Sequence, residues 1–161
     1  MARAIPEGFH TITPSLIMKD SAKAIEFYKQ AFSAKELMRM PGPGGKGIMH
    51  AELQIGDSRF FLCDEFPEMS NNRSPETLGA VTAVLHLYVQ DVDATVNKAV
   101  SAGAKLQMPA TNMFWGDRFA KISDPFGQEW GVCTHVEDVS PEEIKKRADA
   151  FFAQAASSRN K

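Results

Sequence analysis

The chain has few cysteines, little net charge and no long apolar run. Cys63 and Cys133 are the two cysteines among 161 residues. A disulfide framework is therefore excluded as the basis of the fold, and we expect two free thiols that pack as small apolar groups in a reducing cytosol. The formal net charge of −2 offers no electrostatic basis for binding nucleic acid. No apolar segment reaches the length of a membrane span, and the N-terminus lacks the apolar region of a signal peptide. These absences predict a cytoplasmic globular protein without a membrane or nucleic-acid partner.

A repeat covers most of the chain. Asp20 opens the string DSAKAIEFYKQAFSAKELM, and Asp91 opens DVDATVNKAVSAGAKLQM, an offset of 71 residues (91 − 20). Each Asp follows an alternating apolar run and precedes apolar residues at helical spacing, which is typical of a strand followed by a helix with an acidic N-cap. A repeat at a fixed offset predicts two similar modules, with any binding site enclosed between them.

Alternation and turn signals predict the remaining elements. We expect strands over 9–18, 36–40, 48–55 and 59–64 in the first copy, and over 81–89, near 106, and over 118–123 and 129–135 in the second. In the first of these strands, Ile12, Pro14, Leu16 and Met18 form the expected apolar face. A capping box at Ser140 starts a C-terminal helix over about 140–155.

The predicted fold class is α+β. Two βαβββ modules, at about 9–64 and 81–136, are joined by a linker at 65–80 and followed by the C-terminal helix. Each sheet curls around a central cleft, with its helix on the outer face and its polar side chains on the inner face.

The chain resembles the glyoxalase/bleomycin-resistance/extradiol-dioxygenase superfamily, also called the vicinal oxygen chelate (VOC) fold, and most closely its PhnB-like branch. The strings TPSLIMKDSAKAIEFYKQAF, HLYVQDVDA and FWGDRFAKISDPFGQEW carry the resemblance, which covers about residues 9–150. It implies this fold and a homodimer, because relatives commonly pair. It does not imply one chemistry, because the fold carries lyases, dioxygenases, epimerases, antibiotic-hydrolysing enzymes and binding proteins.

Metal-dependent members of the superfamily hold a divalent cation with side chains from the first and last strands of each module. Counted from the helix-opening aspartates and the Asp-Pro-Phe-Gly turn, the matching positions in this sequence are Thr13, Phe61, Val84 and Gly131. Zinc and similar ions need imidazole, carboxylate or thiolate ligands, and these side chains provide none. We therefore expect no metal site of the usual kind, and no cofactor.

Polar side chains remain on the predicted inner faces. His86 is the catalytic candidate, because an ordinary imidazole pKa of about 6.5 suits proton transfer; the alternative is a histidine hydrogen-bonded in a polar cleft. Arg59 and Glu129 occupy equivalent positions, and we expect an ion pair between them, the alternative being that Arg59 clamps an anion. The full predicted ligand-binding set is Ser15, His50, Glu52, Arg59, Tyr88, Trp115, Arg118 and Glu129.

The sequence favours a metal-free protein that binds a small organic molecule between its modules. Glu52, Tyr88 and Trp115 would suit a planar or cationic compound through charge and cation–π contacts. One alternative is a VOC-type enzyme (a lyase, isomerase or dioxygenase) with a non-standard metal site or an acid–base site at His86. Another is a structural or regulatory dimer.

Overall fold

The computed structural model of the protein describes residues 2–159, and it confirms the predicted fold class. The first module contains a four-stranded mixed sheet and one helix. Its strands have the spatial order β1-β4-β3-β2, and only the β1–β4 pair is parallel. These elements are β1 (Ser15–Met18), α1 (Ser21–Phe32), β2 (Lys35–Pro41), β3 (Ile48–Ile55) and β4 (Ser58–Asp64).

The second module repeats this topology after a short helix, α2 (Pro75–Leu78), in the linker. Its strands have the order β5-β8-β7-β6, with β5 parallel to β8. The elements are β5 (Leu85–Tyr88), α3 (Val92–Ser101), β6 (Lys105–Asn112), β7 (Asp117–Ser123) and β8 (Glu129–His135), followed by α4 (Pro141–Arg159). Helix α4 ends later than predicted. Among residues 2–159, no helix combines the length and the hydropathy needed to cross a bilayer.

The two aspartates that mark the repeat are the N-caps of the two main helices. The Asp20 carboxylate accepts the backbone N–H of Lys23 at 3.0 Å, and the Asp91 carboxylate accepts that of Ala94 at 2.9 Å. Such caps satisfy backbone donors that have no partner within the helix. The predicted helix starts are therefore confirmed.

The modules share one hydrophobic core. The indole of Trp130 on β8 lies 4.8 Å from the ring of Phe32, 5.4 Å from that of Tyr28 and 6.4 Å from that of Phe60, measured between centroids. These three rings belong to the first module, and all four are buried. Helix α1 also packs beside α3. The helix-bearing faces of both sheets therefore form the core, and the opposite, polar faces remain for a site.

The predicted strand over 9–18 is wrong in its first half. Pairing with β4 begins at the carbonyl of Pro14, which accepts the N–H of Phe61 at 2.8 Å. Before it, the chain crosses the polar face of the first sheet, where the Phe9 ring lies 5.5 Å from that of Phe61. Ile12 is therefore 84% exposed rather than buried. Proline has no N–H to donate to a ladder, which is consistent with a strand that starts beside it.

Candidate functional site

Two of the four positions that the resemblance assigns to metal ligands, Phe61 and Gly131, are occupied by aromatic packing. Phe61 contacts His50 at 4.7 Å between ring centroids, as well as Phe9. At Gly131, the rings of Phe119 and His86 lie so close that a Cβ atom would be 2.7 Å from the former and 3.1 Å from the latter. A longer ligand side chain at Gly131 would displace both rings, so these positions do not fit a metal ion.

The remaining ligand-type side chains do not build an alternative metal centre in the part of the chain that the structure describes. Within residues 2–159, no group of three or more His, Cys, Asp or Glu side chains is arranged to hold an ion. The features of the polar face that could bind a ligand are therefore its cavities and its hydrogen-bonding groups.

A cavity of about 580 Å³ lies where the β3–β4 turn of the first module approaches β5 of the second. Three predicted site residues, Arg59, His86 and Tyr88, line it. Its apolar wall is formed by side chains at the edge of the shared core, namely Phe32, Phe60, Leu85, Leu87 and Trp130. Its size falls within the range of small-molecule sites, which are mostly apolar with a few polar groups.

His86 is exposed on the polar face of the second sheet. Its imidazole stacks on Phe119 with a centroid distance of 5.7 Å and an interplanar angle of 26°. Gly131, opposite His86 in the β5–β8 register, leaves room for this stack because it has no side chain. The structure thus places His86 on the cavity wall with its orientation supported by packing.

The predicted ion pair between Arg59 and Glu129 is wrong. The Glu129 carboxylate instead lies 2.5 Å from the ammonium group of Lys121 on the neighbouring strand. This contact lowers the pKa of Glu129. The two residues lie in equivalent positions of different sheets, but the sheets meet through their helix-bearing faces, so equivalence does not bring these polar-face side chains into contact.

Three other predicted residues lie outside the cavity of about 580 Å³. His50 and Glu52 lie side by side on β3, with 3.5 Å between imidazole and carboxylate. Glu52 lines a second cavity of about 440 Å³ beneath the segment before β1. Ser15 lines a third, smaller cavity beside Gln128. These three side chains therefore do not contribute to a single binding site.

Arg118, whose face the sequence left open, lies on the helix-bearing face of its sheet rather than on the polar face. Its guanidinium donates two hydrogen bonds to Asp93 on α3, at 2.7 and 2.8 Å. The alternation of β7 explains this, because Ala120 and Ile122 on the same face are completely buried in the core. Arg118 therefore ties α3 to its sheet.

Asp117 is the centre of a hydrogen-bonded cluster on the polar face. Its carboxylate is 5% exposed and accepts hydrogen bonds from the Tyr88 hydroxyl and the Trp115 indole N–H, both at 3.0 Å. His135 Nδ1 lies 2.8 Å from the same carboxylate, and its Nε2 lies 3.0 Å from Asp138. The cluster holds the 113–116 loop against the end of β8, and it orients Tyr88 at the rim of the cavity.

Both thiols are free. Burial raises the pKa of Cys133 to about 11, with a further contribution from the charge of Asp117. Burial also raises the pKa of Cys63. The thiolate is the reactive form of cysteine, so neither side chain is prepared for nucleophilic or metal chemistry.

The contacts of His135 with Asp117 and Asp138, which we call the His135 clamp, predict that stability depends on pH. The hydrogen bond to Asp117 and then that to Asp138 raise the pKa of His135 above its ordinary value. Its stabilising contribution is therefore fully present below the unfolded pKa of about 6.5, and is lost as pH rises through the raised folded pKa. The free energies of unfolding of the wild type and His135→Gln, measured with urea, should differ most at low pH and become equal at high pH.

A nuclear magnetic resonance titration of the imidazole checks the cause of that effect. Asp117→Asn should lower the His135 pKa more than Asp138→Asn, because Asp117 provides the larger effect. A folded-state pKa at or below about 6.5 would contradict the clamp.

Two features of this face were missed at the level of sequence. His10 lines the main cavity, although it lies in the irregular segment where strand alternation has no meaning. The pairing of Asp117 with His135 follows from the β7–β8 register, in which the two residues are direct partners. A hairpin alignment across the Asp-Pro-Phe-Gly turn could have predicted the second feature but not the first.

Comparisons with known proteins agree with this geometry. A family model described as the Glyoxalase/Bleomycin resistance protein/Dioxygenase superfamily matches residues 8–132. An uncharacterized protein of Mycobacterium bovis is 40% identical over 136 residues, which are 83% of this chain and 89% of the relative.

Solved structures extend the similarity at the level of the fold. TioX from Micromonospora sp. ML1 superposes with a TM-score of 0.62 at 23% identity, covering 79% of this chain and 99% of that one. A Bacillus cereus protein described as a putative 3-demethylubiquinone-9 3-methyltransferase, PhnB protein, gives 0.59 at 15% identity, covering 78% and 99%. At these identities the likeness concerns the fold alone.

Proposed function

The chain belongs to the glyoxalase/bleomycin resistance protein/dioxygenase superfamily, and we propose that it binds a small organic molecule between its two modules without a resident metal ion. The observation that carries the proposal is the cavity of about 580 Å³ lined by Arg59, His86 and Tyr88. Aromatic packing at Phe61 and Gly131, where relatives place metal ligands, supports the metal-free part.

The walls of the cavity suit a compound with both an apolar and a polar end. Leu85, Leu87 and Trp130 contribute apolar surface from the edge of the core. Burial of apolar surface stabilises a complex by about 25 cal/mol for each Å² removed from water. The polar groups at the other side give orientation rather than most of the affinity.

Acid–base catalysis by His86 is a second candidate for the same cavity. Its imidazole is exposed on the cavity wall and is held against Phe119, which is the combination of access and fixed orientation that proton transfer needs. The PhnB-like branch, the homodimer and the cytoplasmic location remain predictions from the sequence.

A neutral fluorescent probe tests the binding proposal. We expect N-phenylnaphthylamine to bind at one saturable site per chain, and chelation with EDTA to leave its affinity unchanged. Leu87→Trp adds bulk to the cavity wall and should weaken binding by about tenfold or more, the equivalent of about 1.4 kcal/mol. Fluorescence titration measures both effects.

Leu37→Trp on β2 is the matched control, because Leu37 is an exposed side chain that does not line the cavity. Ile12→Trp, at the exposed rim, provides a second obstruction that does not disturb the core. Equal probe affinity in the wild type and both cavity variants would refute the proposal. So would one equivalent of tightly bound metal whose removal abolishes binding.

A further inference from the structure

Arg59 is a cationic side chain without an acidic partner. Across residues 2–159, no carboxylate forms an ion pair with it, whereas Arg39, Arg118 and Arg147 are each paired. Asp57 lies at the same cavity but accepts a hydrogen bond from the Ser58 hydroxyl at 2.9 Å. The Nε atom of Arg59 is buried and has no hydrogen-bond partner within the described chain. An unpaired buried donor costs about 1–3 kcal/mol. Because this atom is closed to solvent, an acceptor from outside would bind the terminal N–H groups of the guanidinium at the cavity wall.

The segment before β1 holds the guanidinium in place without using its hydrogen-bond donors. The Cζ atom of Arg59 lies 4.8 Å from the centre of the Phe9 ring. Gly8 packs so closely that a Cβ atom there would lie 2.5 Å from Cζ. A cation–π contact uses the face of the guanidinium, whereas its N–H groups lie in the plane. The guanidinium is therefore held in one orientation, and its N–H groups remain able to bind an acceptor.

The surroundings of Arg59 in the cavity favour an anion with an apolar body. His10 and His86 line the same cavity and offer imidazole N–H donors. Leu85, Leu87 and Trp130, at the edge of the shared core, give the same cavity an apolar wall. Arginine is well suited to carboxylate, sulfonate or phosphate groups because two of its parallel N–H donors match two oxygens.

From this geometry we infer that the ligand of the cavity is an amphiphilic organic anion, whose charged group binds Arg59 and whose apolar part contacts Leu87 and Trp130. The inference rests on the proposed function, since it names the chemical class that the same cavity binds. It departs from the planar or cationic compound that the sequence favoured, because Glu52 and Trp115 are not among the residues that line this cavity, whereas Arg59 is.

A pair of probes of nearly equal shape tests the inference on the full chain. Anilinonaphthalene sulfonate carries an anionic group, and N-phenylnaphthylamine has the same ring system without it. Arg59→Gln should weaken sulfonate binding by about tenfold, the typical effect of losing a charged hydrogen bond, and should change amine binding by less than about twofold. Arg59→Lys, which keeps the charge but loses the planar fork, should give an intermediate loss of sulfonate affinity.

Arg39→Gln is the matched control, since it removes the same charge from a surface pair with Glu36 and should leave both affinities unchanged. Added salt should weaken sulfonate binding, because it screens charge, and should leave amine binding unaffected.

Equal losses for the two probes in Arg59→Gln, while Leu87→Trp still weakens both, would overturn the anion inference and leave the binding function intact. Insensitivity of both probes to Leu87→Trp and to Ile12→Trp would overturn the binding function itself. Should Arg59→Gln fail to fold, Arg59→Lys and the salt series decide the same question.

Discussion

Replacing Asp124 with alanine is expected to lower the free energy of unfolding by about 3–5 kcal/mol, because unpaired buried donors cost about 1–3 kcal/mol each. The Asp124 carboxylate is 3% exposed and accepts four hydrogen bonds. The donors are the Tyr28 hydroxyl at 2.7 Å, the Trp130 indole at 3.2 Å, and the backbone N–H groups of Phe126 and Gln128, both at 2.9 Å. Urea unfolding followed by circular dichroism measures the change.

The same residue joins the two modules, which makes its loss a test of how they are held together. Burial raises the pKa of Asp124, and burial together with the Asp124 charge raises that of Tyr28 well above its ordinary value, so Tyr28 remains a hydrogen-bond donor. Tyr28→Phe removes one of four donors and should cost about 1–2 kcal/mol. A loss below about 1 kcal/mol in Asp124→Ala would contradict the role of this cluster.

Replacing Trp130 with alanine should lower the free energy of unfolding by about 3–5 kcal/mol, the usual range for a large aromatic residue in a core. Its ring contacts Tyr28, Phe32 and Phe60 across the junction between the modules. It also lines the cavity between them. The change should therefore alter probe binding as well as stability, and both are measurable on the same preparation.

Trp115→Ala is the matched control for that substitution. Trp115 is only partly buried and donates one hydrogen bond to Asp117, so its loss should cost markedly less than that of Trp130. A larger destabilisation from Trp115→Ala than from Trp130→Ala would show that the core is not organised around the junction described here.

The sequence was sufficient to predict the local elements, except for the first halves of the strands expected over 9–18 and 81–89. Asp20 and Asp91 identified the helix starts because capping depends on a residue and the backbone three positions later. Leu16 and Met18 identified the core-facing side of β1, since alternation is a property of the strand itself. The expectation that the usual metal site is missing also came from local information, because the side chains of Phe61, Val84 and Gly131 have no donor atom for a metal ion.

The candidate site was only partly predictable, because its contacts join residues that are far apart in the chain. Arg59 and Glu129 are equivalent in the repeat, but their partners were set by packing: Glu129 pairs with Lys121 on the adjacent strand, and Arg59 stacks against Phe9 from an irregular segment. Arg118 shares its face of β7 with the buried Ala120 and Ile122, and its contact with Asp93 was set by how α3 packs on that face. None of these contacts follows from periodicity.

The sequence by itself determined the two modules, their caps, their strand alternation and the lack of ligand-type side chains at the four metal positions, because each depends on neighbours within a few residues. The tertiary structure alone decided which faces of the two sheets meet, that Arg59 has no acidic partner among residues 2–159, and that His10, Arg59 and His86 share one cavity. Those outcomes depend on how two similar sheets pack through Tyr28, Phe60 and Trp130, and a pattern repeated within the chain carries no information about the orientation of its copies.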